Sequence, residues 1–260
     1  MNGALTDKVC LVAGTTGIGG ASARLFGREG ARVVAIGRTR KHARALARDL
    51  IANQIEHLVL AEDISVEGAA ERVLCAAVAH FGRIDVLFHV AGISGRRLGD
   101  GPLAECSVPG WDIVFATNLR AMMLLNRACL RHWLDHKQRG VILNMSSVLG
   151  FAFATEHFDT VAYAASKAAI IALSQHTAAT YAKDGIRVNV IAPALVDTPM
   201  AARATQSAAI RRFLMRKQPL TRGPLRDEDC ARAALFLCSD AAATITGIVL
   251  PVDAGWCVSG

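Results

Sequence analysis

The stretch Lys8-Val9-Cys10-Leu11-Val12-Ala13-Gly14-Thr15-Thr16-Gly17-Ile18-Gly19-Gly20 decides the fold. An apolar run from Lys8 to Ala13 ends in a glycine turn, and a helix-favouring segment, Ala21 to Gly30, follows at once. Glycines let the backbone come close to a pyrophosphate, and the helix behind them offers free N–H groups and the positive end of its dipole. A glycine cluster alone is a weak sign. Placed after a first strand and ahead of a helix, it reads as a dinucleotide site formed by Gly14, Thr15, Thr16, Gly17, Ile18 and Gly19.

The same alternation continues outward from that turn. Further apolar runs lie at Arg32–Ile36, Glu56–Ala61, Ile84–Val90, Val141–Met145, Arg187–Ala192 and Ile248–Val252, with helical stretches near Lys41–Ile51 and Val66–Phe81 between them. Strands separated by helices of ten or more residues imply βαβ units and a parallel sheet covered on both faces. Right-handed crossovers then give a doubly wound α/β Rossmann fold, a single domain over 1–260 with a seven-stranded, mostly parallel sheet. Two longer helices, Pro109–Lys137 and Val161–Lys183, carry apolar residues on more than one face. They are expected either to form a subunit interface, giving a homodimer or homotetramer, or to be the central helices of a large core.

At 260 residues the chain can bury a substantial core. Its net charge of +7 raises the question of nucleic acid, but the basic residues are scattered and no aromatic-interleaved basic stripe exists, so no nucleic-acid partner is expected. Seven cysteines without a Cys-x-x-Cys spacing fit free thiols in a reducing compartment. The segment Met1–Lys8 has no apolar leader, and no uninterrupted apolar run reaches the roughly 18 residues of a membrane span, so a cytoplasmic protein with no membrane partner is expected. His132 and His136 share a helix face, but zinc takes three or four protein ligands and no third is evident, so no metal is expected.

The cluster Arg38-Thr39-Arg40-Lys41 follows the second strand directly. In a dinucleotide fold an acidic residue here meets the adenosine ribose of NAD, whereas an arginine accommodates a 2′-phosphate. No Asp or Glu lies between Glu29 and Asp49, so NADP(H) is favoured, with NAD(H) the alternative. Asp63, at the end of the third strand, is placed to accept from the adenine amino group or to close an ordinary turn. Farther on, Tyr163 and Lys167 stand four positions apart at the head of an alanine-rich helix and therefore share a face. A nearby ammonium favours phenolate, so Lys167 is expected to lower the Tyr163 pKa. Ser146 and Ser147 end the fifth strand, where parallel α/β folds place their chemistry.

Taken in order, these motifs resemble the short-chain dehydrogenase/reductase family, in its single-domain branch, over essentially the whole chain. The resemblance rests on the glycine turn Gly14–Gly19, Asp63-Ile64, Ala91-Gly92-Ile93 and Asn118 in a long helix. It continues through Asn144-Met145-Ser146-Ser147, Tyr163-x-x-x-Lys167, Arg187–Pro193 with Val196–Met200, and Thr246-Gly247 to Asp253-Ala254-Gly255. It implies hydride transfer between NADP(H) and a ketone or secondary alcohol, a small-molecule substrate. Ser147 would polarise the carbonyl, and Tyr163 would act as general acid or base. Lys167 would bind the nicotinamide ribose, and Asn118 would hold a water in the proton relay. The resemblance also adds Ile64, Ala91, Gly92, Pro193, Val196 and Thr198 to the cofactor contacts.

The chain departs from that pattern in three places. The glycine turn is one residue shorter than this branch usually has. His89-Val90-Ala91-Gly92 stands where the family has Asn-Asn-Ala-Gly. The segment between Ser147 and Tyr163 is longer than usual, and Ala194 replaces a common glycine. The variable substrate side is expected in 94–106, 151–160 and a lid at about 199–219. There Arg96, Arg97, His157, Arg203, Arg211 and Arg212 either face an acidic substrate or are solvated, and Phe151, Phe153 and Phe158 suggest a partly apolar pocket. The rival reading is a catalytically silent dinucleotide-binding sensor or assembly subunit; the complete Asn118, Ser147, Tyr163 and Lys167 set favours the enzyme.

Overall fold

The first strand, β1 (Val9–Ala13), is buried along its whole length. Val9, Leu11 and Ala13 pack into one hydrophobic cluster and Cys10 and Val12 into another, as the two-residue period of a strand requires. The computed structural model describes residues 3–260; Met1 and Asn2 lie outside the described residues. Around β1 run β2 (Arg32–Gly37), β3 (His57–Ala61), β4 (Val86–His89), β5 (Gly140–Met145), β6 (Ile186–Pro193) and β7 (Val249–Val252), in the order β3-β2-β1-β4-β5-β6-β7. Every pairing is parallel, so the sheet is uniformly rather than mostly parallel.

Helices cover both faces. On one side α1 (Ile18–Arg28), α2 (Arg40–Ala52) and α10 (Asp227–Cys238) contribute Phe26, Leu50 and Leu237. On the other, α3 (Ala69–Phe81) and α5 (Ala121–Asp135) contribute Val73, Leu125 and the fully buried Trp133. Burial of each large apolar side chain contributes about 1.5–3 kcal/mol. Trp133 satisfies its indole N–H by donating to Ile84 O at 2.7 Å. The sheet order reverses between β1 and β4, and such a reversal opens a crevice at the carboxyl ends of the strands.

Two boundaries differ from expectation in ways that matter for that crevice. Helix α1 begins at Ile18 rather than Ala21, so Gly19 and Gly20 are helical and buried. The long helix is not continuous: α4 (Val108–Phe115) passes into a π-helical turn at Ala116–Arg120 before α5. A π turn widens the helix by one residue and often accompanies a functional site. The run Val108–Asp135 is apolar and long enough to cross a membrane, yet 56% of its most apolar window is buried inside the protein. The remaining helices are α6 (Thr155–Phe158), α7 (Val161–Tyr181), α8 (Ala202–Gln206) and α9 (Ala208–Lys217).

Candidate active site

The turn after β1 is held by its glycines. Gly17 caps α1 at φ 50°, in the left-handed region where a side chain is strained. A Cβ on Gly19 would stand 2.6 Å from Gly14 O, so this close approach requires glycine. Among the described residues, the first helical N–H groups, at Ile18 and Gly19, have no backbone acceptor. The Thr15 side chain lies against Gly37 at the end of β2, which props the shortened turn beside Arg38. These features fit a dinucleotide pyrophosphate: open glycine backbone, unpartnered N–H groups and a helix N-terminus.

From this turn a cavity of about 280 Å³ extends across the ends of β4, β5 and β6. Gly14, Thr16, Gly17 and Ile18 line it at one end; Ala91, Gly92, Ser147, Tyr163 and Lys167 line its middle; Pro193, Val196 and Thr198 cover it. The remaining cofactor candidates lie off the cavity. Arg38 is exposed at the end of β2. Asp63 accepts from Ser65 N at 3.0 Å and Ser65 Oγ at 2.6 Å, and these bonds, with a smaller contribution from the Arg38 charge, hold its carboxyl below the usual range. Ile64 belongs to the core.

Lys167 is 3% exposed and donates to Met145 O at 2.9 Å. Burial pulls its pKa down to about 8. Its Nζ lies 5.5 Å from the centre of the Tyr163 ring. Tyr163 does not show the lowered pKa expected from this lysine: desolvation raises the phenol, and the Ser147 hydroxyl beside it lowers it. Burial therefore outweighs the Ser147 bond, and the Lys167 ammonium is directed at the β5 carbonyl. Ser147 Oγ donates to Pro193 O at 3.3 Å and accepts from Leu149 N at 3.2 Å. Ser146 Oγ is used differently, donating to Lys167 O at 2.7 Å and so tying β5 to α7.

Asn118 is fully buried in the π turn. Its Oδ1 accepts from Ile93 N at 2.7 Å, and its Nδ2 donates to Ile93 O at 3.0 Å and to Ser166 Oγ at 3.1 Å. The side chain is a clamp between the strand-four loop and α7.

Sequence reasoning missed Asp100. This residue is 5% exposed, and its carboxylate accepts from Ala162 N and Tyr163 N, both at 2.9 Å. Gly101 O takes Val161 N at 3.0 Å, so the loop supplies the acceptors for the first turn of α7. Thr160, at the N-cap position, makes no side-chain cap bond. Trp256, behind Asp253-Ala254-Gly255, was also missed; it lines the cavity and packs edge-on to Phe158, with ring centres 5.8 Å apart. Of the phenylalanines expected on the substrate side, Phe158 reaches the cavity, while Phe151 and Phe153 are exposed.

His89 is fully buried with neither ring nitrogen hydrogen-bonded. Burial, and then the Lys167 charge, pull its pKa down to about 3, so it is a neutral core residue. His132 and His136 lie with ring centres 4.4 Å apart and tilted by 38°, and among the described residues no group of three or more His, Cys, Asp or Glu converges.

The family model described as enoyl-(acyl carrier protein) reductase matches residues 12–257. The chain belongs to the short-chain dehydrogenase/reductase family. Among the relatives of this short-chain dehydrogenase/reductase is the cis-4-hydroxycyclohexanecarboxylate dehydrogenase of Sinomonas cyclohexanicum, 37% identical over 98% of this chain and 99% of that protein. The D-threitol dehydrogenase of Mycolicibacterium smegmatis is 35% identical over 98% of this chain and 94% of that protein. A crystal structure from Beutenbergia cavernae, provisionally assigned as an NAD(P)-dependent gluconate 5-dehydrogenase and holding NADP at low occupancy, superposes with a TM-score of 0.88. It is 31% identical and covers 97% of this chain and 98% of that one. Members of this family are oxidoreductases that use a nicotinamide cofactor, NAD(P)(H).

Proposed function

We propose that the protein transfers a hydride between NADP(H) and the carbonyl carbon of a small ketone, or the reverse from a secondary alcohol. The observation that carries this reading is the convergence of Ser147, Tyr163 and Lys167 on one cavity that runs back to the glycine turn. The bound nicotinamide supplies or accepts the hydride. Ser147 Oγ exchanges its long bond to Pro193 O for the substrate oxygen, and the Tyr163 hydroxyl gives that oxygen its proton, or takes it in oxidation. Two preorganised donors then meet the charge developing on the oxygen. Lys167 holds the ribose hydroxyls and faces the phenolate left on Tyr163. Asn118 is a positioning residue, since its clamp fixes the Ile93 loop against Ser166, the neighbour of Lys167.

Arg38, Arg40 and Lys41 support the choice of NADP(H): none has a carboxylate partner within 4 Å among the described residues. The relatives named for cyclic and polyol alcohols, with the Phe158 and Trp256 wall, support a compact secondary alcohol. The segment 199–219 acts as the lid; its helices pack by Ile210, Leu214 and Phe213 onto Val148, Phe158 and Trp256 rather than into the sheet core. The protein works in a reducing cytoplasm, in keeping with seven unpaired cysteines. It self-associates through the long helices, where Val108, Ile113 and Leu134 are exposed.

The test is a ketone and alcohol panel with both cofactors, preceded by titration of each cofactor's fluorescence. Turnover with NADPH in excess of NADH is expected. Binding of cofactor without turnover of any carbonyl compound would make the chain a silent dinucleotide binder.

A further inference from the structure

We infer that the substrate carries a carboxylate, which Arg96 and Arg203 hold at the end of the cavity opposite the glycine turn. The inference deepens the hydride-transfer reading and rests on it for the word substrate; the anion site itself does not depend on catalysis.

The charged side chains lining the cavity are Arg96, Lys167 and Arg203, with no acidic residue among the lining. Lys167 is accounted for by its bond to Met145 O and its place beside Tyr163. The two arginines come from different elements, Arg96 from the loop after β4 and Arg203 from α8, and converge over one short segment. Arg96 Nη2 donates to Asp159 O at 3.3 Å, and Arg203 Nη2 to His157 O at 3.4 Å. Both bonds are long and use main-chain carbonyls, leaving most of the five N–H donors of each guanidinium unengaged. Neither residue has a carboxylate within 4 Å among the described residues; the acidic Glu156 nearby pairs with His157 instead.

Two like charges at the rim of a partly apolar cavity repel each other unless an anion joins them. Desolvation, and then the Arg96 charge, pull the Arg203 guanidinium below its ordinary pKa. A planar carboxylate suits the fork geometry of guanidinium, and a bridging one removes the like-charge conflict. Phe158 and Trp256 stand in the same wall, and the Trp256 indole N–H is buried without a partner. The ligand implied is a small acid with an apolar body: a carboxylate at the arginines, and a ketone or secondary alcohol at Ser147 and Tyr163.

Two measurements separate this inference from the reaction it serves. The first is calorimetric titration of the NADPH complex with cyclohexanecarboxylate and, separately, cyclohexanecarboxamide, neither of which has a reducible carbonyl. The acid is expected to bind at least about tenfold more tightly than the amide, and Arg96→Gln and Arg203→Gln each to erase most of that ratio. Equal binding of acid and amide, or an unchanged ratio in both variants, overturns the anion site whatever the enzyme turns over. The second compares kcat/KM for 4-oxocyclohexanecarboxylate and 4-oxocyclohexanecarboxamide with NADPH. A preference for the acid, carried in KM and lowered in the arginine variants, is expected. If the variants instead weaken NADPH binding itself, the arginines serve the cofactor and the inference fails. Acid-selective binding without turnover of either ketone would leave the anion site standing and overturn the hydride-transfer reading.

Discussion

Replacing Asp100 with alanine tests how the active-site helix is held. The Asp100 carboxylate serves two of the first N–H groups of α7, at 2.9 Å each, from a position 5% exposed. With Gly101 O on Val161 N and Thr160 O on Ala164 N, the opening turn has every donor satisfied. Alanine leaves the Ala162 and Tyr163 amides without partners in a buried place and removes a negative charge from the positive end of the helix dipole. Losing a cap of this kind while orphaning buried donors costs about 2–4 kcal/mol. At about 2–4 °C per kcal/mol for a chain of this size, the melting temperature falls by about 4–16 °C. Asp100→Asn keeps the shape and one acceptor and loses about half as much. Because Tyr163 is itself one of the capped residues, kcat falls with the loosened turn while NADPH affinity, set at the other end of the cavity, changes little. Differential scanning calorimetry and steady-state kinetics measure both effects. An Asp100→Ala protein that melts with the parent and retains its kcat would refute the reasoning.

The buried His89 makes stability depend on acid. Its folded pKa is about 3 against an ordinary value of 6.5, so below pH 6.5 the unfolded chain takes up a proton that the folded protein refuses, and stability falls with pH down to about 3. Between pH 7 and 5 this group alone removes about 2 kcal/mol, and His89→Asn, which does not titrate, loses correspondingly less over that range in urea unfolding; equal losses in the two proteins would contradict the assignment. Arg38→Asp replaces the residue proposed to meet the adenosine 2′-phosphate with one that repels it, and the ratio of NADPH to NADH affinity, read by fluorescence titration, is expected to drop by at least about tenfold. No change in that ratio places the 2′-phosphate elsewhere.

Local patterns were legible in the sequence because their causes are local. The run Val9–Ala13 had to be a central strand, since every residue is apolar, and the glycines after it had to be a tight turn because a side chain at Gly19 collides with Gly14. The spacing of Tyr163 and Lys167 predicted their shared helix face. Features that depend on distant contacts were hidden. The cap on α7 comes from Asp100, more than sixty positions upstream, and nothing in the residues around Thr160 announces it. The π turn at Ala116–Arg120 contains neither glycine nor proline, and its Asn118 is bound to Ile93, 25 positions upstream. The expected effect of Lys167 on Tyr163 took the separation for the whole story, whereas depth of burial decides the direction. Among the substrate-side arginines, composition alone did not distinguish Arg96 and Arg203, which line the cavity, from Arg97, Arg211 and Arg212, which do not.

The central claim is a hydride passed across the cavity with Tyr163 as its proton partner, and the most direct test follows the hydride itself. NADPH deuterated at the transferring carbon is incubated with a ketone substrate, and the product alcohol is weighed by mass spectrometry for the parent protein and for Tyr163→Phe. One deuterium on the carbinol carbon is expected from the parent, with the rate reduced by about 10²–10⁴ in the variant and NADPH binding retained. Unlabelled product, or a Tyr163→Phe protein that labels it at the parent rate, would contradict the account.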